Sequence, residues 1–168
     1  MIITRPAKPS TASSIITCPF TVAIDQRERG ASYLFHGFDF YLPPRQQLSG
    51  KHFHIPIEVK HLITGDYSIV GLEDQITIER KQLSDLYGTL GKGRERFEKE
   101  FTRMTAMQFA AVVIEADLRE IWRPADYFSN WRSKLKSRSV EGTINHWSIR
   151  YPRIHWITAG SRRNAEIK

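Results

Sequence analysis

Apolar and polar positions follow two different periods along the chain, and the change between them divides it. Residues 19–25, PFTVAID, are a short apolar run ending in an acid, the pattern of a buried strand. RGASYLFHGFDF after it fits a helix. YLPPRQQLSGKH, with Pro43, Pro44 and Gly50, is predicted to be loop. HIPIEVKHL, GDYSIVGL and QITIERK each predict a strand, Gly65 and Gly71 mark turns, and the spacing predicts an antiparallel meander. From SDLYGTL onward the period becomes helical: Phe97, Phe101 and Met104 recur with charged residues between them. FAAVVIEA is a continuous apolar run of strand length, as expected of a central strand buried on both faces. Val140, Ile144 and Trp147 mark a second amphipathic helix, RIHWITA a last strand and SRRNAEIK a closing helix. No internal repeat is visible. The order predicts one α/β domain with a central mixed sheet flanked by helices. Residues 1–18, rich in Thr, Ser, Pro and Ala, read as a flexible lead-in, which leaves 19–168 as the domain.

Composition narrows the function classes. The 168 residues carry 25 Lys plus Arg against 18 Asp plus Glu, a formal net charge of +7. An excess of this size suits nucleic acid, because neutralised phosphates release counterions; the plainer reading is solubility. Cys18 is the single cysteine, so an intramolecular disulfide and a Cys-rich zinc site are both excluded. That fits an intracellular setting, whether cytoplasm, nucleoid or nucleus. No stretch approaches the roughly 20 apolar residues of a membrane span, and no membrane partner is expected.

The candidate chemistry lies on the strand of residues 75–81. Side chains alternate across a strand, so Gln75, Thr77, Glu79 and Lys81 share one face, with Ile76, Ile78 and Arg80 on the other. The first face is wholly polar and ends in an acid followed two residues later by a lysine. Asp66 opens a strand after Gly65, and if the two strands are neighbours, Asp66 and Glu79 come close. Paired carboxylates repel unless a cation lies between them, and oxygen-only ligation suits Mg²⁺ or Mn²⁺.

GDYSIV followed by IERKQLSDL resembles the nuclease signature of the XPF family, written GD…ERK…D, within the restriction-endonuclease-like fold of the PD-(D/E)xK superfamily. AIDQRE is similar to the family's first-strand motif, falling on Asp25, Arg27 and Glu28. GKGRERFEKEFTRM resembles the helix after the active site, VVIEAD the next strand, and residues 139–166 the closing helix, strand and helix. The resemblance runs from about Phe20 to Lys168 and implies metal-dependent phosphodiester hydrolysis, at branched, flap, fork or junction DNA, in DNA repair or recombination. It implies Asp66 and Glu79 as direct metal ligands with Asp25 as a third carboxylate, Lys81 orienting water or stabilising phosphate charge, and Arg27, Glu28 and Asp85 completing the site. Arg27 suits a bidentate phosphate contact. Arg80, on the opposite strand face, is expected in a structural ion pair.

Two departures bear on DNA handling. XPF-type nucleases usually continue into tandem helix-hairpin-helix modules, and these residues contain none, which implies a stand-alone nuclease that forms a homodimer or uses a separate DNA-binding partner. The loop of residues 41–52 and the segment LREIWRPADYFSNWRSKLKSR are peculiar to this chain. Within the latter, WRSKLKSR sets basic residues beside an indole, a pattern for backbone tracking and base stacking or for a solvated linker. The helix of Val140, Ile144 and Trp147 offers a dimer face or a core stripe. Taken alone, Gly65–Asp66 is a turn former, Asp85 a helix cap, Glu115 and Asp117 loop acids, and His52 and His54 an incidental pair. GKGRER lacks the Walker pattern, though it can still touch DNA backbone. The rivals to an active endonuclease are a non-catalytic DNA-binding subunit and a sequence-specific restriction-type enzyme on the same fold.

Overall fold

In the computed structural model, which describes residues 2–4, 14–28, 32–42 and 47–168, the motif-bearing strands form one mixed sheet. Its strands, numbered in chain order with those of a smaller sheet, are β3 (Val22–Asp25), β6 (Ile57–Lys60), β7 (Tyr67–Ile69), β8 (Ile76–Lys81), β9 (Phe109–Ile114) and β10 (Ile154–Thr158). They lie in the order β10-β9-β8-β7-β3-β6. β10, β9 and β8 run parallel, β7 is antiparallel to both β8 and β3, and β3 is parallel to β6.

The meander expected from the spacing is therefore corrected: β3 inserts between β6 and β7, so only β7 and β8 are antiparallel neighbours among the three predicted strands. Parallel strands need long crossovers, supplied here by two helical blocks. α1 (Leu83–Leu90) and α2 (Arg94–Met104) join β8 to β9. α3 (Leu118–Trp122), α4 (Pro124–Tyr127) and α5 (Ser137–Arg150) join β9 to β10, and α6 (Arg162–Ile167) closes the chain.

Helices cover both faces of the sheet. On one, Phe97, Phe101 and Met104 of α2 and Val140 and Trp147 of α5 pack over Ala110, Val112 and Ile114. On the other, Val113 meets Ile24, Tyr33, Tyr67 and Ala165 of α6. This two-sided cover is why β9 reads as an unbroken apolar run. Val140 and Trp147 are fully buried, so the stripe weighed as a dimer face is core. No helix among the described residues is long and apolar enough to cross a membrane.

A second, four-stranded sheet, in the order β1-β4-β5-β2, comprises β1 (Ile2–Thr4), β2 (Ser14–Thr17), β4 (Phe38–Leu42) and β5 (Gln47–His54). Two strands thus fall within the predicted lead-in, whose residues 5–13 lie outside the described residues. Two further expectations are corrected. Residues 32–37 are irregular rather than helical, since Phe35 (φ 51°) and Gly37 (φ 69°) adopt left-handed backbone that ends a right-handed helix. Residues 41–42 and 47–52 of the predicted loop are strand, paired with each other across β4 and β5, with β2 alongside β5 from Lys51 onward. Pro43 and Pro44 lie outside the described residues.

Candidate active site

Gly65 sets the position of Asp66. Its φ is +73°, and a Cβ there would stand 2.1 Å from Thr77 Oγ1 and 2.9 Å from the Ile78 carbonyl, so only glycine lets the turn press against β8. Thr77 Oγ1 donates to the Thr64 carbonyl at 3.0 Å, and Glu100 of α2 accepts the Gly65 N–H at 3.2 Å. The Asp66 N–H donates to the Ile78 carbonyl at 2.8 Å. Asp66 Oδ2 then accepts the Arg80 N–H at 2.8 Å, a side chain standing in for the next ladder carbonyl.

β8 alternates as its sequence predicts. Glu79 is buried and accepts a hydrogen bond from Lys81 Nζ, while Thr77 on the same face is fully buried. Arg80, on the other face, donates from Nε and Nη2 to Glu115 at 2.7 and 3.1 Å, and from Nη1 to Glu28 at 2.9 Å. The expected ion pair is thus a three-residue bridge, and it ties Glu28 to the site.

Five of the seven expected site residues, Glu28, Asp66, Glu79, Lys81 and Asp85, line one cleft of about 350 Å³. Asp25 and Arg27 do not line its walls, although the Asp25 N–H donates to the Asp66 carbonyl at 2.8 Å. Asp25, fully buried, accepts the Arg27 N–H at 2.7 Å, the Arg27 guanidinium at 2.6 and 3.2 Å, and the Leu62 N–H at 2.7 Å. Both its oxygens are occupied in fixing Arg27, whose side chain remains 62% exposed. Burial alone would raise the Asp25 carboxyl; the bonds from Arg27 and Leu62 outweigh that and hold it below the usual range.

The cleft acids behave differently. Burial, then the neighbouring Glu79 charge, push Asp66 up to about 8. Glu79 is also raised, first by burial and further by Glu100, with Lys81 opposing. Burial would lower the Lys81 ammonium, but Glu79 holds it above its usual value. The half-buried Asp66 and buried Glu79 cannot both ionise beside one ammonium without excess negative charge where water is scarce, and a hard divalent cation fits that imbalance. Asp66 Oδ1 and Glu79 Oε2 accept no hydrogen bond among the described residues, so each is available as a ligand atom. No group of three His, Cys, Asp or Glu side chains among the described residues is already gathered as a cation cage.

Ser84, Gly88, Thr89, Gly93 and Arg96 complete the cleft wall, and the α1–α2 junction of GKGRER forms its rim. Glu100 escapes sequence reasoning, because on an amphipathic helix it reads as an ordinary solvated charge, whereas Arg96 closes the GKGRER run already expected to touch DNA backbone. Asp85 is exposed in the first turn of α1, where its charge also favours the helix N-terminus. Asp117 caps α3 in a capping box with Glu120, a structural use. His52 and His54 lie on β5, in the smaller sheet.

A mixed sheet with helices on both faces and acids at the ends of adjacent central strands is a restriction-endonuclease-like α/β fold. The ERCC4 domain matches residues 24–165, and the chain belongs to that family. Among solved structures it is similar to XPF from Aeropyrum pernix in complex with DNA, at 19% identity and a TM-score of 0.55, over 88% of this chain and 60% of that one. XPF from Aeropyrum pernix is similar at 18% identity and a TM-score of 0.57, over 87% and 61%. The chain thus spans about 60% of the length of those proteins. No curated protein sequence matches it.

Proposed function

We propose that the protein is a metal-dependent DNA endonuclease that cuts phosphodiester bonds at branched or junction DNA. The observation that carries this is the convergence of Asp66, Glu79 and Lys81 in one cleft of an ERCC4-family chain. Asp66 and Glu79 would hold Mg²⁺ or Mn²⁺, with Glu28 a further carboxylate on the same cleft wall. When bound, the cation supplies charge that polarises a phosphoryl oxygen and acidifies water.

The chain's own groups act around it. Lys81 offsets charge on the phosphate and orients the attacking water, whose oxygen joins phosphorus as the P–O bond to the leaving strand breaks. Arg27 meets a flanking phosphate, and Asp25 serves by holding Arg27 in place rather than as a ligand. Asp85 and Arg96 border the path of the strand. A net charge of +7 and the DNA-bound state of the similar XPF support DNA as the substrate. With the Val140–Trp147 stripe of α5 buried in the core, a homodimer would need a face other than that stripe.

The deciding experiment is a nuclease assay on labelled flap, fork, Holliday, nicked and plain duplex DNAs with Mg²⁺ or Mn²⁺. Cuts set by structure, the same on unrelated sequences, support the reading. Cutting at one short sequence would indicate a restriction-type enzyme, and binding without cutting a DNA-binding subunit.

A further inference from the structure

The segment between β9 and α5, unused by the cleft chemistry, builds a second cavity beside it. This cavity, about 400 Å³, is lined by Gln82, Ser84, Glu115, Phe128, Asn130 and Trp131, among others, and Ser84 also lines the catalytic cleft. The two spaces therefore adjoin.

Its two aromatic residues are held differently. Trp131 is braced edge-on against Tyr87, with centroids 4.7 Å apart, and the Tyr87 hydroxyl is anchored on the Ile121 carbonyl at 2.7 Å. Phe128 lies 6.2 Å from Trp131 and is 42% exposed. Among the described residues the side chains of Gln82, Ser84 and Asn130 make no hydrogen bond, so three polar groups stand available beside two rings. Glu115 does not make the cavity repel an anion, because Arg80 grips it at 2.7 and 3.1 Å and Arg162 approaches to 3.9 Å.

Beyond the rings the chain is basic. Arg132, Lys134, Lys136 and Arg138 are exposed, and Lys134 and Lys136 line an open groove of about 570 Å³ that shares Trp131 with the cavity. A ring face can stack only on a base that has left its own duplex, and charges repeating along an adjacent exposed segment suit a phosphate backbone.

We propose that this cavity receives one unpaired base of a single-stranded segment next to the bond that is cut. Phe128 and Trp131 contact its face, Gln82, Ser84 and Asn130 meet its edge, and Arg132 to Arg138 follow the backbone. The cavity would thus give the enzyme its preference for DNA with a single-stranded arm. The inference rests on reading the adjoining cleft as a DNA nuclease site.

The test uses the full chain carrying Glu79→Gln, so that bound DNA stays uncut. Its probes are a fork with one single-stranded arm, a blunt duplex of equal length, and forks with 2-aminopurine at single positions of that arm. Fluorescence should change sharply at one position near the cut site. Phe128→Ala should weaken fork binding about tenfold and leave duplex binding nearly unchanged; Asn130→Ala should do the same more weakly. Both sites are exposed, which spares the fold that Trp131→Ala would disturb. Equal losses on fork and duplex, or no position-specific signal, would overturn the inference. Failure of the wild-type chain to cut any DNA would instead overturn the nuclease reading, whereas wild-type cutting with an unaltered Phe128→Ala preference defeats the base site alone.

Discussion

The backbone N–H of Arg80 donates to Asp66 Oδ2 at 2.8 Å, and this bond joins the two halves of the GD…ERK signature. One oxygen of Asp66 is thereby spent on β8, which leaves the other directed at the cleft that Glu79 and Lys81 line. A motif whose parts lie 14 residues apart acts as one unit because a single side chain replaces a ladder carbonyl.

Asp66→Asn and Glu79→Gln should each reduce cleavage at least about tenfold, since losing a metal ligand removes several kcal/mol of transition-state stabilisation. Folding should survive, because each change keeps the side chain's shape and removes its repulsion of the other acid. Single-turnover rates and circular dichroism on preparations free of wild type check both parts; a rate near wild type would remove either residue from the site.

Gly65→Ala should destabilise the protein by about 2 kcal/mol or more, from left-handed backbone together with a clash against Thr77. Cleavage should fall as well, because Asp66 moves with the turn. Thr77→Ala in the same chain should recover only part of the loss, as the Ile78 carbonyl would remain 2.9 Å away. Urea denaturation of the single and double variants measures this.

Arg80→Met should cost about 3 kcal/mol, because it strands Glu28 and Glu115 without their shared cation. Arg80→Lys should recover little, since one ammonium cannot reach both carboxylates as the guanidinium fork does. A stability for Arg80→Lys equal to wild type would show that the bridge contributes charge alone.

The Asp66 carboxyl also predicts how pH and metal interact. Its folded value of about 8 lies above the unfolded value of about 3.9, so folding favours the protonated form. This contribution is full below the unfolded value and is lost as the pH rises toward 8. In EDTA, the thermal midpoint should therefore carry a downward component between pH 5 and 8 that Asp66→Asn removes. Mg²⁺ or Mn²⁺ competes with that proton, so either should stabilise the protein more at pH 8 than at pH 6. Equal stabilisation at both pH values would separate Asp66 from cation binding.

What the sequence determined alone is whatever depends on neighbours a few residues apart. The alternation in Ile76–Lys81 separated Glu79 and Lys81 from Arg80, and the unbroken run in Phe109–Ile114 marked a strand covered on both faces. These periods are properties of the backbone itself and need no partner to be legible. Tertiary structure decided everything that turns on which distant groups meet. β3 enters between β6 and β7 because strand pairing is a choice among remote segments with similar apolar patterns. Asp25 binds Arg27 and the Leu62 N–H, and Leu62 is 37 residues away. The apolar stripe holding Val140 and Trp147 is compatible with either core or interface until Phe97 and Phe101 are found beneath it, because burial of an apolar face stabilises either arrangement by the same physics.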